Sequence, residues 1–211
     1  MIFEMRTYSF LPADLPKYLK HAEEVGRAVR RNDYGVNCGY WTSEFGRLNQ
    51  VWHLWRYESY AQREELRTKL SQNRDWVDGY LPVVQEWVRR MDIRIMNPHA
   101  PFVPPQDAGN VYEYRYYRCA VGKAGNWIRH FKGALPNREK YSKIVGLWQT
   151  EIGQPNEVSH LWVYPDLTAR NDARARLGQD ESWRKFQGRG RPYFPELNNV
   201  LLQPINFSPL K

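Results

Sequence analysis

The feature that most constrains this chain is that it is written twice. Glu4-Met5-Arg6-Thr7-Tyr8 matches Glu113-Tyr114-Arg115-Tyr116-Tyr117 at a shift of 109, and the same shift pairs His21 with His130. Further on the shift becomes 107. Trp41, Glu44, Gly46, Asn49, Val51, His53, Leu54, Trp55 and Tyr57 then match Trp148, Glu151, Gly153, Asn156, Val158, His160, Leu161, Trp162 and Tyr164. Arg63, Arg67, Leu70 and Trp76 continue the series with Arg170, Arg174, Leu177 and Trp183. Identities held in register over this span mark a duplication, so both halves must share one fold. The 211 residues divide into a first unit at 1–97, a proline-rich extended linker at 98–109 and a second unit at 110–211.

Each copy reads strand, helix, strand, strand, helix, strand. Residues 2–9 alternate and are rich in β-formers. Pro12 and Asp14 open a helix with the apolar stripe Leu15, Tyr18, Leu19, Ala22, Val25 and Val29. Strands follow at 38–45 and 49–57 around a turn at Gly46. Ser59, with Gln62 three residues on, is the N-cap of a second helix, and a last strand covers about 90–96. The second copy repeats the series at 111–119, 123–140, 146–152, 156–164, 167–187 and 198–203. The order βαββαβ is the split βαβ, ferredoxin-like pattern of an α+β unit. Such a unit has helices on one sheet face and must have the other face covered. Two copies in tandem supply that cover by packing sheet to sheet, as an intramolecular barrel with helices outside.

Composition limits the function classes. The net charge is +8, but basic residues interleave with acids, as in Arg63-Glu64-Glu65-Leu66-Arg67, and no nucleic-acid motif accompanies them. No apolar run approaches the ~18 residues of a membrane span, so integral membrane association is not expected. Cys38 and Cys119 form neither a metal spacing nor a disulfide framework, and are expected as buried free thiols. Residues 1–8 carry charges inside a strand pattern and are not a signal peptide. A cytoplasmic protein is expected, or one of the mitochondrial matrix if a transit peptide has been removed. Nine Trp and fourteen Tyr fill two small cores or stack on a ligand.

Strand parity then gathers candidates. Glu4, Arg6 and Tyr8 share one face of the first strand, and His53, Trp55 and Tyr57 share one face of the third. These strands are expected to be parallel neighbours, which sets the two triplets side by side. Glu113, Arg115, Tyr117, His160, Trp162 and Tyr164 repeat the set. In the functional reading His53 and His160 carry protons, Glu4 orients the imidazole, and Arg6 and Tyr8 complete the catalytic group. Trp55, Tyr57, Arg115 and Trp162 then bind ligand, with His21 and His130 on the flanks of their helices as further candidates. In the opposing reading the same residues form a hydrogen-bonded ion network inside the barrel. Arg63, Arg67, Arg170 and Arg174 read as exposed helix residues. No metal site is expected.

The stretch from Trp41 to Tyr57, WTSEFGRLNQVWHLWRY, resembles the signature of the NIPSNAP family, and residues 138–164 resemble it again. The opening Glu4-x-Arg6-x-Tyr8 and the closing Asn206-Phe207-Ser208-Pro209-Leu210-Lys211 also resemble that family. The resemblance implies the dimeric α/β-barrel fold, which small monooxygenases, isomerases, dehydratases and heme enzymes share, and vesicle and mitochondrial roles in animal members. It does not name a reaction; the Glu-Arg-Tyr and His-Trp-Tyr faces and the aromatic excess point to a small organic ligand, aromatic or carboxylated, and to a cofactor-free acid–base enzyme of isomerase, lyase or monooxygenase type. The alternatives are a non-catalytic binding or scaffold protein and a heme-binding protein with His21 or His130 as axial ligand. Glu157 and Ser159 beside His160 depart from the family pattern, as does the interruption at 188–192, so the first copy is expected to matter more. Self-association through leftover strand edges or helix faces would make a homo-oligomer.

Overall fold

The computed structural model describes residues 1–190 and 193–211. The first repeat contains β1 (Ile2–Ser9), α1 (Leu15–His21), a π-helical turn (Ala22–Gly26) and α2 (Arg27–Arg30). It continues with β2 (Val36–Phe45), β3 (Gln50–Tyr57), α3 (Tyr60–Ser71), a second π-helical turn (Asp75–Tyr80), α4 (Leu81–Trp87) and β4 (Arg90–Pro98). The second repeat is β5 (Val111–Arg118), α5 (Ala124–Arg138), β6 (Lys143–Ile152), β7 (Glu157–Tyr164), α6 (Leu167–Gln179), α7 (Glu181–Gly190) and β8 (Glu196–Pro204). Local chemistry sets these boundaries. The Ser59 side chain accepts from Gln62 N–H at 3.1 Å while Gln62 Oε1 accepts from Glu58 N–H at 2.8 Å, a reciprocal N-cap of the kind its sequence predicts. The β2–β3 and β6–β7 hairpins turn on Gly46 and Gly153, with Asn49 and Asn156 also at positive φ, so the duplicated residues sit where the backbone needs them.

The eight strands close a barrel in the order β1-β3-β2-β8-β5-β7-β6-β4. Each half contributes four consecutive strands. The halves join along β2–β8 and β4–β6, where Thr42 faces Gln203 and Met96 faces Thr150. The pairing β1–β3 is antiparallel, not parallel as expected, because the β2–β3 hairpin reverses the chain. The expected neighbours survive the correction, since Arg6 faces His53 and Glu4 faces Trp55 across the ladder.

Both faces of each sheet are covered. Phe3, Met5, Trp52 and Leu54 pack inside the barrel against Tyr112, Tyr114, Leu161 and Leu202 of the other half. The linker runs extended beside β6, with His99 N–H donating to Leu147 O at 2.8 Å and Val103 N–H to Val145 O at 2.9 Å. It lays Phe102 on Phe3, with ring centres 5.4 Å apart. Glu157 and Ser159 also face the interior. Glu157 accepts from Arg94 of the first repeat at 2.7 Å and 3.3 Å and from Thr150 at 3.1 Å. Their departure from the family pattern therefore concerns the seam between repeats, not the surroundings of His160. Both cysteines are buried and free, and among the described residues no helix is long and apolar enough to cross a membrane.

Candidate functional site

The predicted polar triplets lie on the opposite sheet face, under the helices of their own repeat. The ion network of Glu4 and Arg6 therefore lies outside the barrel interior, because odd-numbered apolar residues of β1 take the interior positions and turn Glu4, Arg6 and Tyr8 outward. The result is two sheet–helix cavities, one per repeat.

In the first repeat, fully buried Glu4 accepts from Arg6 Nη1 at 2.9 Å and from Arg63 Nε. Burial alone would raise the Glu4 carboxyl, but the charges and hydrogen bonds of Arg6 and Arg63 hold it below its ordinary value. Arg63 was expected to be exposed. The second oxygen of the buried Glu4 carboxylate beneath α3 draws it in, and Arg170 is likewise drawn to Glu113, at 2.7 Å. Arg6 also donates to Tyr8 Oη at 2.8 Å. Glu4 does not orient His53. The imidazole Nδ1 accepts instead from Trp55 Nε1–H at 2.6 Å. That bond occupies the Nδ1 lone pair and places the proton of the neutral ring on Nε2. His53 Nε2 is buried and has no protein partner. Burial, then Arg6, Arg30 and Arg67, keeps the His53 pKa well below 6.5.

The second repeat is a near copy. Glu113 accepts from Arg115 at 2.8 Å, Arg170 at 2.7 Å and Asn199 at 3.1 Å. Arg115 donates to Tyr117 Oη. Trp162 Nε1–H donates to His160 Nδ1 at 2.5 Å, His160 Nε2 is again buried without a partner, and burial with Arg115 and Arg138 lowers its pKa well below 6.5. The imidazole lies beside Phe131 and Trp127, at centroid distances of 5.0 Å and 5.8 Å, and those two rings stack on each other at 4.5 Å.

Sequence reading missed one residue in each site. Arg30, 4% exposed, lies 3.3 Å above the Trp55 ring and donates to Tyr57 Oη at 2.9 Å. Arg138 lies 4.0 Å above Trp162 and donates to Tyr164 Oη at 3.2 Å. Arg30 ends α2 and Arg138 ends α5, and they match at a shift of 108, between the two registers by which the duplication is found. Tyr57 and Tyr164 therefore stand behind an arginine as its acceptor. His21 and His130 line neither cavity: His21 stacks on Tyr80 at 5.3 Å, and His130 is exposed on α5, one residue before the inward Phe131.

The cavities differ in size. The first measures about 220 Å³ and the second about 460 Å³. At the repeat shift Tyr40 becomes Leu147 and Tyr80 becomes Gln187. In the first repeat Tyr40 stacks on His53 at 4.6 Å and its hydroxyl meets that of Tyr18 at 2.5 Å, filling space that the second repeat leaves open. The larger cavity belongs to the copy expected to matter less. Arg191 and Pro192 of the predicted interruption lie outside the described residues; α7 runs to Gly190.

Neither cavity fits a heme. An axial histidine needs a free nitrogen lone pair, whereas His53 and His160 spend theirs on indole N–H groups, and His21 and His130 stand outside the cavities. Among the described residues no three His, Cys, Asp or Glu gather as metal ligands.

The NIPSNAP family's sequence profile matches residues 3–103 and again 112–209. The chain is 29% identical to NipSnap homolog 3A of Homo sapiens over its whole length and 86% of that protein's. It is 26% identical to NipSnap homolog 2 of Danio rerio, covering 75% of it. In fold it is similar to an anthrone oxidase-like protein, with a TM-score of 0.71, 11% identity and 98% and 92% of the two chains covered. A Lactobacillus acidophilus protein provisionally assigned as a monooxygenase aligns with a TM-score of 0.69 and 11% identity over 96% and 92% of the two chains. At this identity the likeness concerns the fold alone.

Proposed function

The chain belongs to the NIPSNAP family, and from that premise we propose that it binds a small planar aromatic molecule bearing an anionic oxygen in the cavity of the second repeat. One observation carries this reading. The buried, unpartnered Nε2–H of His160 belongs to a cavity whose other polar lining includes three guanidinium groups, Arg115, Arg138 and Arg174, and no carboxylate. A donor left without an acceptor costs about 1–3 kcal/mol, which a carboxylate, phenolate or enolate oxygen would recover. Trp127, Phe131, Trp183, Phe186 and Phe194 supply flat apolar walls.

A general-base role for His160 is disfavoured, because its basic nitrogen is engaged by Trp162. If the bound molecule is also transformed, the neutral imidazole serves as a hydrogen-bond donor to developing oxyanion charge, with the guanidinium groups as fixed electrostatic partners. Isomerase, lyase and monooxygenase reactions that pass through an enolate or phenolate would use such a donor, and a binding role needs no step at all.

Calorimetric titration with naphthoate and with naphthalene, which lacks the anionic oxygen, tests the reading. Naphthoate is expected to bind saturably and naphthalene at least about tenfold more weakly. Arg174→Gln removes a guanidinium from the solvent side and should weaken naphthoate by roughly 10–100-fold, the worth of one charge-assisted hydrogen bond. Equal binding of both probes, or an unaltered Arg174→Gln protein, would sink the proposal.

A further inference from the structure

The first-repeat cavity is half the size of the second, and its electrostatics are the less satisfied. Glu4 is shared by Arg6 and Arg63, and Arg63 also meets the exposed Glu64. Arg30 and Arg67 line the same cavity, and among the described residues neither has a carboxylate partner. Arg30 is 4% exposed and its Nε has no acceptor. His53, 2% exposed, has no acceptor for Nε2. Two side chains more than nine-tenths buried thus line one cavity with unmet donors. Burial lowers both arginines' hold on their protons and disfavours charge that is left uncompensated.

We infer that the first repeat binds a small oxyanion, a carboxylate or phosphate group, between His53, Arg30 and Arg67, at a site distinct from the aromatic cavity of the second repeat. Three features select this chemistry. The donors are imidazole and guanidinium N–H groups, which suit an acceptor with several oxygens. The cavity, with Tyr18, Tyr40 and Tyr80 among its walls, measures about 220 Å³ against about 460 Å³ in the second repeat, which favours a small ligand over a fused-ring one. No lining residue is acidic, and the nearby Glu4 carboxylate is already paired with Arg6 and Arg63. On this reading the duplication has divided the labour: one copy keeps a tight anion site and the other has opened toward aromatic molecules.

The test uses the full chain with inorganic phosphate and sodium acetate as separate probes, each against chloride at matched ionic strength. Thermal denaturation should show saturable stabilisation by at least one of the two, and which one identifies the oxyanion class. In proton–nitrogen NMR the His53 Nε2–H resonance, assigned by its loss in His53→Gln, should move with the same titration while that of His160 stays. Arg67→Gln should weaken binding by about tenfold or more. Lys69→Gln, which removes an exposed charge two residues away on α3, controls for bulk electrostatics and should leave affinity unchanged. Stabilisation no greater than that by chloride, or an equal loss in Lys69→Gln, would overturn the site. The His53 resonance and Arg67→Gln report on the first repeat alone, so their failure would leave naphthoate binding in the second repeat standing.

Discussion

At the scale of single residues, two imidazoles govern how this protein responds to acid. An unfolded histidine titrates near pH ~6.5, whereas His53 and His160 stay neutral in the fold to well below that value. Below ~6.5 the unfolded chain therefore binds more protons than the folded one, and stability falls as pH falls, by up to about 1.4 kcal/mol per pH unit for each ring. His99, lowered by burial and Lys132, adds to the same trend. Glu4 and Glu113 are held below their ordinary 4.5, so the stability they contribute is lost only at more acid pH. Urea midpoints measured from about pH 7 to about pH 5 should fall in the wild type, and the His53→Gln/His160→Gln double variant should show a flatter profile. A wild-type midpoint that does not change over this range would contradict two buried neutral imidazoles. The sequence made the histidines conspicuous through their repetition and their parity with Glu4 and Arg6. It could not reveal that an indole two residues along the same strand, rather than the glutamate, would hold Nδ1. Parity states which side chains share a face, and leaves open which neighbours on that face meet.

Among the elements, β2 and β6 depend on a glycine that period-two alternation does not explain. Gly39 and Gly146 match at the shift of 107, and each stands where its strand shifts register against the neighbour. The buried indole two residues on folds back over each one. A Cβ at Gly39 would come within 1.9 Å of the Trp41 ring, and one at Gly146 within 2.3 Å of Trp148. Neither ring can retreat, as both are packed in the barrel interior. Gly39→Ala and Gly146→Ala should each lose about 1–3 kcal/mol of stability by overpacking. Gly133→Ala on α5, where a Cβ meets nothing, should gain about 0.5–1 kcal/mol from helix propensity. Chemical denaturation of the three variants checks the contrast, and equal effects would refute it. Strands, caps and hairpin turns were legible because they depend on neighbours in sequence. The π-helical turns, and the inward swing of Arg63 and Arg170, were not. They answer to a buried carboxylate on another element that no local pattern displays.

On the scale of the whole molecule, the duplication foretold the closed barrel, because a single sheet with one bare face cannot stand alone. Which face would be bare was not legible, since aromatic residues alternate onto both sides of β1 and β3. The structure assigns Phe3, Met5, Trp52, Leu54 and Met96 of the first repeat to the seam, with Tyr112, Tyr114, Leu161 and Leu202 opposite them. Burying a side chain of this size contributes about 1.5–3 kcal/mol, so separating the halves exposes far more apolar surface than a stable domain tolerates. An isolated first repeat, residues 1–110, should therefore form a homodimer across the β2 and β4 edges or aggregate. The second repeat, 111–211, should do the same. Mixing the two during refolding should yield a one-to-one complex in preference to either self-pair. Arg94 of one half reaches Glu157 of the other, and the departures from the family pattern at Glu157 and Ser159 face this seam rather than the cavities. Glu157→Gln in the mixed sample should accordingly erode the preference for the hetero-pair while leaving each self-pair intact. Light scattering coupled to size exclusion reads all three species. Well-folded monomers of either half would show that the barrel interior is not what holds this molecule together.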